Sequence, residues 1–284
     1  MSELINHNIK NKYKVVSLIG KGNFSEVLQC INLNTNAVIA IKIEQSDTVY
    51  KTITNEAKIM NYLQNNKCKY IPTVYWYGTY LNYNCLAISY YEYSFTEHIQ
   101  KNTLTLKEIN EYIIQIISII SEVHNHFVIH RDIKPDNFMF KNNRLYIIDF
   151  GLSTYYINED EEHIPNNIHT NILGSPNYIS YNIHNGDTYS RRDDLISIMY
   201  LYFELLYKKL PWSNVINQED EQYNHIHILN PANMERQQYK SLEHIKTFFK
   251  GNENLHDIFN YIYELPFSKK PLYEYIANKV HTIN

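Results

Sequence analysis

The chain has 284 residues, a net charge of −4 and charges of both signs along its length. This length can bury a substantial core in one large domain or in two lobes, and the balanced charge excludes a general basic field for nucleic acid. Its three cysteines, Cys30, Cys68 and Cys85, are scattered and lack metal-ligand spacing, which argues against a disulfide framework and against structural zinc.

No stretch approaches about 18 uninterrupted apolar residues, and the N-terminus lacks the apolar core of a signal peptide. We therefore expect a soluble monomer with no membrane partner and no direct nucleic-acid binding. The 27 tyrosines and the scarcity of Gly and Pro indicate an AT-rich genome, such as that of a large DNA virus or a protist. The expected location is the cytoplasm, that of the host cell for a viral protein, with the nucleus as the alternative.

The first part of the chain shows the alternation of apolar and polar residues that is typical of β-strands. From residue 13 to 44, the runs YKVVSLIG, EVLQCINL and NAVIAIKIE are separated by turn residues and predict an antiparallel meander. A helical pattern follows over Thr52–Gln64. The runs TVYWYGTY and NCLAISYY predict two more strands, ending at about residue 91.

Helical periodicity dominates the rest of the chain. Apolar residues from Leu106 to Phe127 recur at helical spacing and predict a long helix buried along one face. Short strands are predicted at NFMF and LYIID, followed by an irregular segment to about residue 185. Further helices are predicted at 193–208, 240–250, 254–264 and 270–279.

These elements predict an α+β fold with a small antiparallel β-rich N-lobe and a larger, mainly helical C-lobe. The N-lobe is expected over about 13–90 and the C-lobe over about 91–284, after an N-terminal extension of residues 1–12.

The first motif is the glycine-containing turn IGKGNFSEV, from Ile19 to Val27. Glycines at 20 and 22 allow the backbone to approach a ligand and to point N–H groups at phosphate oxygens. A Gly-x-Gly hairpin is more often only a turn, and Ser25 replaces the third glycine of a G-x-G-x-x-G pattern. The motif therefore depends on its neighbours for a functional interpretation.

A lysine and a glutamate supply that context. Lys42 ends the strand VIAIK, twenty residues after Gly22, and Glu56 follows fourteen residues later in the predicted helix. A strand lysine paired with a glutamate on the facing helix can hold its ammonium group against two phosphates.

The decisive motifs are VIHRDIKPDNFMF and IIDFGLS. Asp149 of the second motif follows Asp132 of the first by seventeen residues. Phosphoryl transfer depends on positioning of the reactants and neutralisation of phosphate charge more than on covalent catalysis by the protein. Asp132 can accept the proton of an attacking hydroxyl, and Lys134 can meet the γ-phosphate. Asn137 and Asp149 can supply the oxygen ligands that Mg²⁺ prefers. We expect the carboxylates at 132 and 149 and the amine at 42 to converge on one nucleotide between the lobes.

Through these residues the chain resembles eukaryotic-type protein kinases over nearly its whole length. In detail it is similar to the casein kinase 1 family, within the casein kinase 1/vaccinia-related kinase group. That similarity rests on NKYKVVSLIGKGNFSEV, AIKIE, HRDIKPDNFMF, IIDFGLS, EHIP and SRRDDLISIMYLYFELLYKKLPW, and on ISYNIHNG where most kinases have A-P-E.

The resemblance implies a two-lobed protein kinase domain over 13–284 that uses ATP with Mg²⁺, or Mn²⁺ in its place. It also implies transfer to Ser or Thr hydroxyls of protein substrates, since Lys134 and Ser175 follow the serine/threonine pattern. The nucleotide-binding residues that the resemblance implies include Ile88 beside the adenine, the hinge Ser89, Tyr90 and Tyr91, and Ala40 in the roof. The others are Ile19, Gly20, Lys21, Gly22, Asn23, Phe24, Ser25, Val27, Lys42 and Glu56.

The resemblance also gives a role to the charged run RRDD, residues 191–194. Asp194 is expected to be buried and to bond the backbone of the H-R-D loop, while Arg191, Arg192 and Asp193 connect its helix to the activation segment. A solvated helix start is the alternative, and it applies in part to Asp193.

The chain departs from the family where substrates are recognised. Casein kinase 1 enzymes read upstream phosphate with basic residues, but Thr170 and Asn177 stand where that pattern has lysine and arginine. The stretch after D-F-G contains NEDEE, over 158–162, which is either functional or a solvated loop tip, and QEDEQYNH also lacks the basic cluster. We expect weak preference for primed substrates and tolerance of, or preference for, basic residues near the acceptor.

Three alternatives remain open from the sequence. A pseudokinase scaffold is favoured by Ser25 and Met199 and opposed by the retained catalytic residues. Membership of the vaccinia-related branch and a pure binding module with a tyrosine-rich surface are the others. Thr154 and Thr170 are candidate autophosphorylation sites.

Overall fold

The computed structural model describes residues 4–22, 25–49, 51–215, 226–228, 231–249 and 251–283. The chain divides into two units. The first comprises Met1–Ser94 and Met139–Leu152, and the second Phe95–Phe138 and Ser153–Asn284. Among the described residues, no helix combines the length and apolar character needed to cross a bilayer.

The first unit is built on a six-stranded sheet in the order β1-β2-β3-β4-β6-β5. Its strands are β1 Asn8–Ile9, β2 Tyr13–Lys21, β3 Glu26–Asn32, β4 Val38–Gln45, β5 Val74–Tyr80 and β6 Tyr83–Ser89. All neighbouring pairs are antiparallel. Alternate residues of β2 and β3 form a core with Cys30, Ile41 and Cys85, whereas β4 and β6 are buried almost throughout.

One helix and a second, smaller sheet complete this unit. The helix α1, Thr52–Asn65, connects β4 to β5, and its buried side includes Glu56. The small sheet has the order β10-β9-β7, with β7 Tyr93–Ser94, β9 Phe138–Lys141 and β10 Arg144–Ile147. A 3-10 turn at Phe150–Leu152 follows β10 and packs against α1.

The second unit is mainly helical. Its helices are α2 Phe95–Lys101, α3 Leu106–Asn125, α4 Tyr181–His184, α5 Arg191–Tyr207, α6 Pro231–Tyr239, α7 Leu242–Lys246, α8 Glu253–Tyr263 and α9 Tyr273–His281. The unit also contains two short antiparallel strand pairs. One is β8 Val128–Ile129 with β11 Thr154–Tyr155, and the other is β12 Asn171–Leu173 with β13 Ile226–Ile228.

The core of the second unit forms around α3 and α5. The apolar stripe of α3 packs against α5 and α9, and α5 is buried on nearly all sides. A helix that is buried all round positions the residues at its start rigidly. Those residues are the RRDD run, which lies in the first turn of α5.

The predicted α+β fold class is confirmed, with the meander, the long helix and the strands at NFMF and LYIID in place. The stripe of α3 is buried as predicted except at Leu106, which is only half-buried. Sequence patterns missed α2, α4 and α6, which are short or polar. The helix predicted at 240–250 is only Leu242–Lys246, because Ser241 caps its start and Thr247 ends it.

We predict that Thr105→Ala destabilises the protein by about 1 kcal/mol, because Thr105 caps α3. Its hydroxyl accepts a hydrogen bond from the backbone N–H of Glu108, whose carboxylate accepts one from the Thr105 N–H. The measurement is the free energy of unfolding from urea denaturation. Thr103→Ala, exposed and outside the helix, is the matched control. Equal stability of the two variants would contradict the capping role.

Candidate functional site

The first unit holds a buried lysine between two carboxylates. Lys42, on β4, donates from Nζ to Glu56 Oε2 at 2.8 Å and to Asp149 Oδ1 at 2.7 Å. Burial alone would lower the pKa of Lys42, but the adjacent carboxylates outweigh it and raise the pKa above its ordinary value. The side chain therefore stays a cation, held in one position by two anions.

The carboxylate of Glu44 fixes the helix that carries Glu56. No side-chain cap is present at Lys51, and Glu44 Oε2 instead accepts hydrogen bonds from the Ile53 N–H at 3.1 Å and the Thr52 hydroxyl at 3.0 Å. Because Lys42 and Glu44 lie two residues apart on β4, one strand both presents the amine and positions its partner helix. Sequence reasoning missed Glu44, which looks like an ordinary strand-end charge.

Asp149 and its neighbours attach to the same helix. The Phe150 N–H donates to Glu56 Oε1 at 3.3 Å, and Asn55 Nδ2 donates to the Gly151 carbonyl at 2.9 Å. Asp149 itself has a positive φ of 63°, a backbone conformation that is unfavourable for most residues and concentrates at functional loops. The predicted D-F-G motif is thus held in a specific conformation against α1.

The predicted nucleotide-binding residues occupy the glycine turn and the β4–β6 region. The Gly22 N–H closes the turn by donating to the Ser25 carbonyl at 2.8 Å, and Ile19 is exposed on β2. Ala40 pairs with Ile88 across β4 and β6. The remaining predicted residues are Gly20 and Lys21 on β2, Val27 on β3, and Ser89, Tyr90 and Tyr91 at and after the end of β6; Asn23 and Phe24 lie outside the described residues.

The second unit holds a dense cluster around Asp132, which is 3% exposed. Its Oδ2 lies 2.9 Å from Lys134 Nζ and accepts from Asn137 Nδ2 at 3.0 Å. Its Oδ1 accepts from the Ser175 hydroxyl at 2.7 Å, and Lys134 Nζ also reaches that hydroxyl at 3.2 Å. The structure therefore brings Asp132 into contact with Ser175, which lies 43 positions later in the sequence.

The segment that carries Ser175 approaches the loop of Asp132 closely. Gly174 has a φ of +109°, and a Cβ at that position would lie 2.7 Å from the Arg131 carbonyl oxygen. Only glycine satisfies both constraints.

Oxygen ligands for a divalent cation are present in both units. Asn137 Nδ2 makes two hydrogen bonds to Asp132, to its carbonyl and its carboxylate, so Oδ1 is the atom of Asn137 suited to a metal. Asp149 offers a carboxylate in the first unit. Amide and carboxylate oxygens are the donors that Mg²⁺ prefers, so these residues fit the predicted ion.

Asp194 fixes the loop that precedes Asp132. Its carboxylate accepts from the backbone N–H groups of His130 at 2.7 Å and Arg131 at 2.9 Å, and from His124 Nε2 at 2.9 Å. Asp194 is 1% exposed. The predicted buried structural role is confirmed, and His124 is a partner that sequence reasoning did not identify.

The neighbouring charges of the RRDD run connect α5 to other segments. Asp193 accepts from the Ser180 hydroxyl at 2.6 Å and from Asn182 Nδ2 at 3.1 Å, so it bonds the predicted activation segment. It also forms a capping box with Ser190 but is fully buried, so the alternative of a solvated residue was wrong for Asp193.

The two arginines of the run contact the segment between α8 and α9. Arg191 lies over the ring of Tyr156 and donates to the Ser268 carbonyl at 2.6 Å. Arg192 donates to the Leu265 carbonyl at 3.1 Å. They thus also anchor the loop between α8 and α9, which the sequence did not indicate.

Lys240 is a buried residue that sequence reasoning missed. Its Nζ donates to the Pro176 and Ile179 carbonyls, each at 2.7 Å, and lies 5.1 Å from the ring centroids of both Tyr200 and Trp212. Burial lowers the pKa of Lys240 well below its ordinary value. Nothing in the surrounding sequence, QQYKSLEH, distinguishes it from an exposed helical lysine.

The positions linked to substrate charge lie on the surface of the second unit. Thr170 is exposed, Asn177 is half-buried, and the acidic residues of 158–162 are all exposed. Arg131 lines a cavity of about 270 Å³ together with Thr154, His169 and Asn171. Among its described lining residues, Arg131 is the one arginine or lysine.

A family model for the protein kinase domain matches residues 13–277 of this chain.

We predict that Asp194→Asn lowers the free energy of unfolding by about 3 kcal/mol. The variant places an amide nitrogen, itself a donor, against the buried N–H donors that a carboxylate oxygen binds in the wild type. Urea denaturation measures the change. The matched control is Asp257→Asn, an exposed aspartate paired with Lys279. Similar losses in both variants would show that Asp194 does not have this structural role.

The acid stability of the protein is predicted to depend on His124. Burial lowers the pKa of His124 below its ordinary 6.5, although Asp194 acts in the opposite direction. The unfolded chain therefore binds a proton at His124 that the folded chain resists, and the stabilisation is lost as pH falls below about 6.5. Asp194, whose pKa is lowered by His124 and the loop N–H groups despite its burial, adds a further loss at lower pH.

The measurement is the free energy of unfolding at successive pH values. His124→Gln is expected to give a shallower decline than the wild type between neutral and mildly acid pH, from a lower starting stability. His281→Gln, at the exposed end of α9, is the matched control. Identical slopes for wild type and His124→Gln would contradict the prediction.

Proposed function

This chain belongs to the protein kinase domain family, and from that premise we propose that it is an active serine/threonine kinase. Family membership makes it a phosphotransferase of the kind that uses ATP and a divalent metal on protein substrates. The observation that carries the proposal of activity is the pairing of Lys42 with both Glu56 and Asp149. A scaffold that had lost catalysis would not require this arrangement of three buried or half-buried charges, which is costly to desolvate.

Each of the proposed site residues has its own role in the transfer of the phosphoryl group. Lys42, held by Glu56, binds the phosphates of ATP through its cation. Asp132 orients the acceptor hydroxyl and takes its proton as the hydroxyl oxygen bonds to the γ-phosphorus and the bond to ADP breaks. Lys134 neutralises charge on the transferred phosphoryl group. Mg²⁺, held by Asn137 and Asp149, would supply further neutralisation of the phosphate charge.

Transfer to serine or threonine is supported by the contacts of Lys134. The amine contacts both Asp132 and the Ser175 hydroxyl, so the cation and the catalytic carboxylate share one hydrogen-bonded cluster. This arrangement places a positive charge beside the proton acceptor, where a short aliphatic hydroxyl can reach both.

Casein kinase 1-like character without a strong need for primed substrates is the finer part of the proposal. The sequence motifs support the likeness. The half-buried Asn177, the exposed Thr170 and the acidic surface at 158–162 support the difference, since none of these positions attracts a phosphate group.

Catalysis is tested with Asp149→Ala, which removes the proposed metal ligand and one anion beside Lys42. We expect Mg²⁺-dependent ATP binding to weaken and phosphorylation of a general protein substrate to fall by at least about a hundredfold. Asp160→Ala, on the exposed acidic loop, is the control. A wild-type protein that binds nucleotide but transfers no phosphate would instead support the pseudokinase alternative.

Substrate priming is tested with matched peptides that carry serine or phosphoserine upstream of the acceptor. We expect little gain in kcat/KM from the phosphate for the wild type. The variant Thr170→Lys with Asn177→Arg restores the basic residues of the family pattern and should increase that gain. A wild-type gain of about tenfold or more, the scale of one charge-assisted contact, would contradict the proposal.

A further inference from the structure

Lys240 is a buried lysine to which the proposed reaction gives no role. It lies between α6 and α7 and is 0% exposed. Its backbone N–H donates to the Arg236 carbonyl at 3.1 Å, and its backbone carbonyl accepts from the Tyr263 hydroxyl at 2.8 Å. The side chain therefore starts from a fixed point in the core of the second unit.

The amine of Lys240 contacts backbone oxygens and a histidine. Nζ donates to the carbonyls of Pro176 and Ile179, each at 2.7 Å, and lies 3.1 Å from His184 Nε2. Among the described residues, no carboxylate forms an ion pair with this amine, so its burial is costly. The ammonium form has three N–H groups and the neutral amine has two, so both carbonyls are held in either protonation state.

The two carbonyls belong to the segment 175–179, which lies between β12 and α4 and is neither helix nor strand. Inside the segment, the N–H groups of Tyr178 and Ile179 donate to the Ser175 carbonyl at 2.8 Å and 3.0 Å. These bonds close one turn. They leave the next four carbonyls to find donors elsewhere.

Side chains from other parts of the second unit bind all four of these carbonyls. Lys240 binds the first and the fourth. Trp212 Nε1 donates to the Asn177 carbonyl at 2.8 Å, and the Ser197 hydroxyl donates to the Tyr178 carbonyl at 2.7 Å. A segment that has no helix or ladder of its own takes its position from such contacts, because buried carbonyls require partners.

The same segment borders the proposed catalytic carboxylate. The N–H and the hydroxyl of Ser175 both donate to Asp132 Oδ1, at 3.1 Å and 2.7 Å, and Lys134 Nζ lies 3.2 Å from that hydroxyl. Pro176 follows Ser175 directly, so a shift of the Pro176 carbonyl displaces Ser175 from Asp132. A peptide that places its acceptor hydroxyl at Asp132 lies next to this segment.

We propose that Lys240 is a positioning residue for the acceptor peptide: it holds the segment 175–179 against Asp132 and thereby determines the affinity for that peptide. The inference rests on the proposed kinase function and assigns a part in it to a fully buried amine. Lys42, Glu56 and Asp149 belong to the first unit, whereas the hydrogen bonds of Lys240 lie within the second. The affinity for ATP should therefore not depend on Lys240.

The test replaces Lys240 with methionine, which has a similar length and no N–H donor. The probe is a peptide selected from a serine-containing library by its binding to the wild type. In Lys240→Met we expect the KM for this peptide to rise about tenfold, the scale of one lost hydrogen-bonding group, while kcat and the KM for ATP change by less than about twofold.

Amide hydrogen exchange reports on the segment without any catalysis. Mass spectrometry of a fragment that contains residues 174–184 follows the amides of Tyr178 and Ile179, which close the turn. In Lys240→Met these amides should exchange faster relative to the amides of α3, because the turn opens locally once two of its carbonyls have lost their donor.

The matched control is Tyr202→Phe, which removes a buried hydrogen bond to Asn110 elsewhere in the second unit. It should lower the free energy of unfolding but leave both the peptide KM and the relative exchange of the fragment unchanged. Lys240→Gln, which retains an N–H donor, should have an intermediate effect, and it serves as the test variant if the methionine variant does not fold.

Two results would overturn the inference. One is a wild-type peptide KM in the Lys240 variants, even where the fragment exchanges faster, and the other is a rise in peptide KM no larger than that of Tyr202→Phe.

Binding of the labelled peptide, measured by fluorescence anisotropy, separates this inference from the kinase proposal. A wild type that binds the peptide but transfers no phosphate would reject the kinase proposal. Weaker binding by Lys240→Met than by Tyr202→Phe would then still support the positioning role of Lys240. A wild type that binds no peptide of the library would overturn both.

Discussion

The loop of the second unit that carries Asp132 depends on one buried carboxylate, that of Asp194. It accepts hydrogen bonds from two backbone N–H groups at the start of the loop and from the Nε2–H of His124, so three segments of chain meet at one side chain. Carboxylates are efficient at this because each oxygen can accept more than one hydrogen bond. Burial makes the cost of losing any partner high, which gives the loop a single conformation and the cluster around Asp132 a fixed base.

Two buried lysines show how the environment decides what the same side chain does. Lys42 lies between two carboxylates, which raise its pKa, and it is suited to bind phosphate as a permanent cation. Lys240 faces carbonyl oxygens and aromatic rings, and burial together with the charge of Arg236 lowers its pKa. Lys240 therefore serves as a hydrogen-bond donor that connects α6 and α7 to the segment after Ser175. Only the first of these two residues could be recognised from a motif.

The surface charges of the second unit follow a consistent pattern. Thr170 is exposed, Asn177 is half-buried, and the exposed loop at 158–162 carries four carboxylates. Complementary charge across an interface determines the choice of partner more than it increases the affinity. These surface charges support the proposed weak need for primed substrates, and they lie on side chains outside the cluster around Asp132.

The sequence by itself determined the fold class and the order of the main strands and helices, because strand and helix periodicity is local. It also identified the residues proposed as catalytic, because the motifs around Lys42, Asp132 and Asp149 have characteristic spacing. It also gave the anchoring role of Asp194 through family resemblance. Tertiary structure alone decided the roles of Glu44, His124 and Lys240. Each acts on a partner distant in the chain, and a single polar residue in a helix or strand has no local signal that separates a buried, fully bonded group from a solvated one.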